Sequence, residues 1–135
     1  VQEGPNLPLV RIEVLRERTP ADKKELFRAV HEALVDALRI PDEDRTQRLI
    51  EHDPEDFELP PDKSERFTLV EITMFPGRTL TAKRRLYKAI VAKLGMLGIP
   101  GNDVFIVLHE PPMENWGIRG GTPASEIDLG FQVDV

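Results

Sequence analysis

The chain has 135 residues, with 18 Lys and Arg against 24 Asp and Glu, a net charge of −6 and no cysteine. That length suits one compact domain, and the acidic balance argues against a nucleic-acid or anionic-membrane partner held by bulk electrostatics. Without cysteine there are no disulfides, thiolate nucleophiles or sulfur-rich metal sites, a composition the cytoplasm permits. No run is apolar enough for a signal segment or a membrane span.

Residues 1–7 read as an N-terminal extension, either a tag or a start placed upstream of a true initiation at position 7. From Leu9 to Leu15, Val10, Ile12 and Val14 alternate with polar residues in the period of a half-buried strand. Thr19-Pro20-Ala21-Asp22 reads as a helix start, with Thr19 as N-cap, Pro20 at the first helical position and an acid at the third. Leu26, Val30, Ala33, Leu34 and Ala37 keep helical spacing to about Leu38, and Ile40-Pro41 ends the run. Arg48-Leu49-Ile50 is then a second, more polar strand. Asp53 to Arg66 is acidic and proline-containing, as a surface connection should be.

The second half repeats the plan: a strand from Phe67 to Phe75, a Pro76-Gly77-Arg78 turn, a helix from about Thr79 to Leu97, and a stop at Ile99-Pro100. The apolar run Val104-Phe105-Ile106-Val107-Leu108 predicts a central strand buried on both faces. Gly117, Gly120 and Gly121 mark a bend, and Phe131, Val133 and Val135 alternate as a short tail strand that needs a sheet edge.

The likeness between halves is positional. Leu9, Val10, Ile12, Arg18, Thr19, Lys23, Leu26, Ala29 and Leu34 recur sixty positions on as Leu69, Val70, Ile72, Arg78, Thr79, Lys83, Leu86, Ala89 and Leu94. Strand, turn and helix positions all match, so one βαβ unit has been duplicated and fused. The prediction is an α/β (α+β) fold, a single domain over 8–135 made of two βαβ units (about 8–52 and 67–112) plus the tail. The units form one four-stranded mixed sheet with both helices on one face, because crossover handedness places them there. An apolar second face and a spare strand then call for identical copies, a homo-oligomer.

Pro8-Leu9-Val10 followed by Arg18-Thr19, with the Asn115-Trp116-Gly117-Ile118-Arg119-Gly120-Gly121 turn late in the second unit, resembles the tautomerase superfamily over nearly the whole chain from Pro8. The start is similar to 4-oxalocrotonate tautomerase and its relatives. The fused length and Ile40-Pro41-Asp42-Glu43-Asp44-Arg45 resemble the malonate semialdehyde decarboxylase branch. The resemblance implies βαβ units paired about a pseudo-twofold axis and assembled into trimers or hexamers, here a homotrimer. It further implies an N-terminal proline as general acid and base, an arginine for the substrate carboxylate, and no cofactor or metal. Carried over, the catalytic residues are Pro8, Arg78 and Asp44, and the substrate-binding residues Trp116, Arg18 and Arg119. The implied substrate is a small carboxylate-bearing oxo acid or enol.

The chemistry suits these residue types. A secondary amine that is buried near a cation loses some of its preference for the proton, and so becomes a base able to move a proton alpha to a carbonyl. Arginine grips a carboxylate bidentately and spreads developing enolate charge. At about 3.3 Å per strand residue, Pro8 and Arg18 stand more than about 20 Å apart within one unit. If the two first strands pair antiparallel, Arg78 comes to Pro8, and Arg18 comes to Thr68, the counterpart of Pro8. One live site per chain follows.

Plainer readings of the same residues stay open. Pro8 is also a proline tolerated at a strand start, and with residues 1–7 attached its nitrogen is an amide and no base. Arg18 and Arg78 suit solvated positions before helix caps, Trp116 suits interface packing, and Asp44 suits a turn. His31 reads as a packing histidine, and Lys83, Arg84, Arg85 and Lys88 as a solvated helix face. Three functions compete: a tautomerase of small 2-oxo acids; a malonate semialdehyde decarboxylase or hydratase; and a non-catalytic trimeric scaffold or ligand-binding protein with a blocked Pro8.

Overall fold

The computed structural model describes residues 8–16 and 18–128. The extension 1–7 and the tail strand at Phe131, Val133 and Val135 lie outside the described residues. Chain order gives β1 (Leu9–Leu15), α1 (Pro20–Leu38), β2 (Thr46–His52), β3 (Thr68–Thr73), α2 (Leu80–Met96) and β4 (Val104–His109). A two-residue hairpin follows, β5 (Gly117–Ile118) and β6 (Thr122–Pro123).

The main sheet has the order β2-β1-β3-β4. Each unit pairs its own strands in parallel, β1 with β2 and β3 with β4, and the two units meet through antiparallel β1 and β3. Arg11 faces Glu71 in that central ladder, and they are sixty positions apart, so the pseudo-twofold axis passes between them. The alternating residues behave as the period requires. Val10, Ile12 and Val14 from β1 and Val70 and Ile72 from β3 point to one side and are at most 2% exposed. There they meet Leu26, Val30, Ala33 and Leu34 of α1 and Ala82, Leu86, Ile90 and Leu94 of α2 in one core. Both helices therefore cover the same face, as right-handed crossovers dictate.

The helices begin where their caps say. Thr19 accepts a hydrogen bond from the Asp22 N–H while the Asp22 carboxylate accepts from the Thr19 N–H, both at 3.1 Å, a complete capping box with Pro20 just inside. Thr79 accepts from the Ala82 N–H, also at 3.1 Å. In each unit a lysine of the first helical turn reaches the acid at the end of the second strand: Lys23 to Glu51 and Lys83 to Glu110, both at 2.8 Å.

Three expectations are corrected. Among the described residues the apolar strand β4 is not central but at the sheet edge, with Val104, Ile106 and Leu108 against the helix side and Phe105 and Val107 50% and 39% exposed. The twofold relation puts the first strand of each unit at the centre, so the second must fall outside whatever its hydropathy. The open face is also not uniformly apolar. Its middle is an ion-pair network in which Arg11 meets Glu71 and Glu13, His52 meets Glu13 at 2.7 Å and His109 meets Glu71 at 2.8 Å. Ile50, Phe105 and Val107 lie on the outer strands of this face. Nor is the basic run of α2 merely solvated: besides the Lys83 ion pair, Arg85 donates to the Ala37 carbonyl at 3.4 Å.

The connection 53–66 is held to the body. Phe57 stands edge-on to His52 and Phe67, with ring centroids 4.9 and 5.6 Å away. Asp103 is 3% exposed and accepts from the Ser64 N–H at 2.9 Å and from its hydroxyl. Among the described residues no helix is long and apolar enough to cross a membrane.

Candidate active site

Pro8 is buried immediately before β1. Leu9 pairs with Thr73 on one side and with Thr46 on the other. Continued by one residue, these registers set Pro8 opposite Met74 and beside Arg45. One end of the sheet therefore gathers Pro8, the Asp44 loop, and the turn that runs from Met74 to Arg78. Gly77, at φ +116°, takes the left-handed backbone this turn needs and brings the chain round to Arg78 and the Thr79 cap.

Arg78 is anchored at the same end. Its Nη1 donates to the Leu38 carbonyl at 2.9 Å, meeting one of the unsatisfied carbonyls at the C-terminus of α1. That contact also complements the negative end of the helix.

Asp44 sits in the loop between α1 and β2 and is 8% exposed. Burial, and after it the charge of Glu43, raise its carboxyl above the ordinary range, while His31 pulls the other way. His31 is 3% exposed on α1, with Nε2 3.1 Å from Asp42 Oδ1, so it does pack in the interior, but beside two acids.

Phe75, 3% exposed, links the turn to the C-terminal segment. Trp116 meets it edge-on, with ring centroids 5.0 Å apart at 85°, and donates its indole N–H to the Pro111 carbonyl at 3.1 Å. Ile118 and Ala124 pack in the same small cluster. Arg119 follows at the tip of the β5–β6 hairpin with φ +48°. Sequence reasoning passed over Phe75. The signal was available, since a large aromatic directly after the strand that borders Pro8 falls where a pocket wall is needed.

Arg18 lies at the opposite end of the sheet. Val14 pairs with Thr68, and Arg18 comes to Arg66, Leu97 and Ile99 instead of Pro8. Thr68, in the place of Pro8 in the repeat, is fully buried and donates its hydroxyl to the Arg66 carbonyl at 2.9 Å. The structure thus brings Pro8, Asp44, Arg78 and the Phe75–Trp116 pair to one end, and leaves Arg18 out. Among the described residues no group of three or more His, Asp or Glu is arranged to hold a metal.

This architecture is that of a two-layer α/β protein made by fusing two like βαβ halves. Residues 8–64 match the Tautomerase family model and residues 44–119 the Tautomerase_2 model, both described as tautomerase enzymes. The chain belongs to the tautomerase family. A curated relative, the probable tautomerase YusQ of Bacillus subtilis (strain 168), is 24% identical over 121 residues, covering 85% of this chain and 95% of that protein. The crystal structure of FG41 malonate semialdehyde decarboxylase inhibited by 3-bromopropiolate is 33% identical with a TM-score of 0.77, covering 87% of this chain and 92% of that one. The Q0 fused 4-OT symmetric trimer is 27% identical with a TM-score of 0.77, covering 87% and 96%.

Proposed function

We propose that the protein is a tautomerase that interconverts keto and enol forms of small 2-oxo acids, with Pro8 as the acid–base group when its nitrogen is a free amine. The observation that carries this reading is the antiparallel β1–β3 register, which sets the start of β1 beside the turn leading to Arg78. Pro8 takes a proton alpha to the substrate carbonyl and returns it to the other end of the enolate. The Leu38 carbonyl orients the Arg78 guanidinium, to which we assign the substrate carboxylate. Phe75 and Trp116 form the apolar wall that keeps water from the enolate, with Arg119 at its rim. The working form is a homotrimer, a reading supported by the Q0 fused 4-OT symmetric trimer and by the exposed Phe105, Val107 and Ile50. Its setting is the cytoplasm.

The test begins with the intact mass of the untagged protein expressed from its own gene. The expected mass is that of a chain beginning at Pro8; a mass retaining residues 1–7 removes the amine and turns the reading to the non-catalytic scaffold. With the amine in place, Pro8→Ala lowers kcat/KM on phenylpyruvate by at least about 100-fold. Arg78→Ala lowers it by about 100-fold or more, and an Arg78→Ala enzyme equal to the parent overturns the assignment.

A second reading is favoured by Asp44. A buried carboxyl at the Pro8 end suits hydration or decarboxylation of malonate semialdehyde, with Pro8 protonated and Asp44 helping to activate water. Two malonate semialdehyde decarboxylase structures, 33% and 29% identical, support it. Malonate semialdehyde turned over faster than phenylpyruvate, and lost in Asp44→Asn, would make this the primary activity. No turnover of malonate semialdehyde would remove it.

A further inference from the structure

Arg18 and Arg66 face each other at the end of the sheet that has no proline. Two cavities share both residues in their walls: one of about 210 Å³ reaching Leu26, Leu97 and Ile99, the other of about 300 Å³ reaching Leu15 and Pro54. Arg18 Nη2 is buried and has no hydrogen-bond partner among the described residues. A charged donor left in that state is costly, because it has given up water for nothing.

The repeat explains how Arg18 came to lack a partner. Its counterpart Arg78 donates to the Leu38 carbonyl. The counterpart of Leu38 is Gly98, which lies beyond the end of α2 at φ +88°. The helix-terminal carbonyl that satisfies Arg78 is thus missing for Arg18. Burial first, and the Arg66 charge after it, draw the Arg18 guanidinium below its ordinary range.

Asp22 and Glu25 also line the smaller cavity and Glu65 the larger, but Asp22, Glu25 and the neighbouring Glu51 have partners of their own. Asp22 is held in the capping box, Glu25 pairs with Arg28, and Glu51 pairs with Lys23 at 2.8 Å. Among the described residues neither Arg18 nor Arg66 has an ion-pair partner. The first turn of α1 is already capped by Thr19, so the attraction for an anion comes from the two guanidiniums and not from the helix end.

We infer that this end of the sheet is a second anion site, in which Arg18 and Arg66 clasp the carboxylate of a small organic acid without performing chemistry on it. The smaller cavity, of about 210 Å³, has room for a small carboxylic acid. No counterpart of the Pro8 amine faces it, because Thr68 stands where the repeat has Pro8 and spends its hydroxyl on the Arg66 carbonyl. A bound carboxylate meets the Arg18 and Arg66 side chains that line the cavities and cancels the repulsion between the two cations. The site is independent of Pro8 and of the activity proposed for it.

Calorimetric titration of the full chain with pyruvate tests this, in the parent and in Arg18→Gln, Arg66→Gln and Arg78→Gln. Arg78→Gln is expected to keep a pyruvate site that weakens by at least about tenfold when Arg18→Gln or Arg66→Gln is added. The same site raises the Tm of Arg78→Gln as pyruvate is added, and that rise disappears with Arg18→Gln. Arg66 is exposed, so its variant is expected to fold even if the Arg18 variant does not. Folded Arg18→Gln and Arg66→Gln proteins that bind pyruvate with parental affinity and stoichiometry overturn the inference. So does binding of inorganic phosphate, but not pyruvate, at Arg18.

Discussion

Asp44 holds a carboxyl that burial, and then Glu43, raise above its ordinary range. An acid with a raised folded value binds its proton more tightly when folded, so its contribution is most favourable below the unfolded value and worsens as pH climbs through the folded one. Asp44→Asn removes that loss. Its Tm is expected to exceed the parent's at pH 7, with the gap closing as pH falls below about 4; calorimetric scans that give no gap at pH 7 would dismiss the argument. Asp103 has the opposite sign. The Ser64 hydroxyl, against the opposing effect of burial and with help from the Ser64 N–H, holds its carboxyl below the ordinary range. Its stabilisation is present above the unfolded value and lost as pH drops through the folded one. Asp103→Ala strands two donors of Ser64 and is expected to cost about 1–3 kcal/mol in urea unfolding at pH 7.

Helix boundaries were legible because their determinants are local. Thr19-Pro20 and Thr79 announce the starts, and the observed helices Pro20–Leu38 and Leu80–Met96 begin directly after those caps. Strand lengths were less so: β2 runs from Thr46 to His52, longer than its three readable residues, because parallel pairing with β1 recruits polar positions. The place of β4 was not legible at all, since an apolar run records what a strand touches in every assembly it enters and not its rank in one chain. At the site, the meeting of Pro8 with the Arg78 turn followed from antiparallel symmetry, and Phe75 was readable from its place after β3, whereas the His31–Asp42 pair depends on side-chain packing that no spacing encodes. The two helix starts are also unequal. α1 has both halves of its capping box, while α2 has Ala82 where the reciprocal acid would stand. Thr19→Ala is expected to cost about 1 kcal/mol, read as a fall in Tm of roughly 3–5 °C.

Among the described residues, one sheet face carries the helices and the other is open. Its charged centre is flanked by apolar residues on both outer strands, a pattern suited to burial of the edges against further copies. Val107→Lys places a charge on β4 where the side chain is already 39% exposed, so the chain itself should still fold. Sedimentation is expected to show the proposed trimer giving way to smaller species at micromolar concentration. A Val107→Lys protein sedimenting as the parent would move the interface elsewhere. The centre of that face has a further consequence. Arg11 and Glu71 are the same position in the two copies of the repeat, and they pair directly across the axis. Two separate, identical halves would have to set arginine against arginine there, or glutamate against glutamate, and like charges directly opposite in a ladder repel. Halves that have diverged, as the two halves of this chain have, can place opposite charges on their pseudo-twofold axis where identical halves cannot. Each half of this protein has become a specific partner for the other and a poor partner for itself.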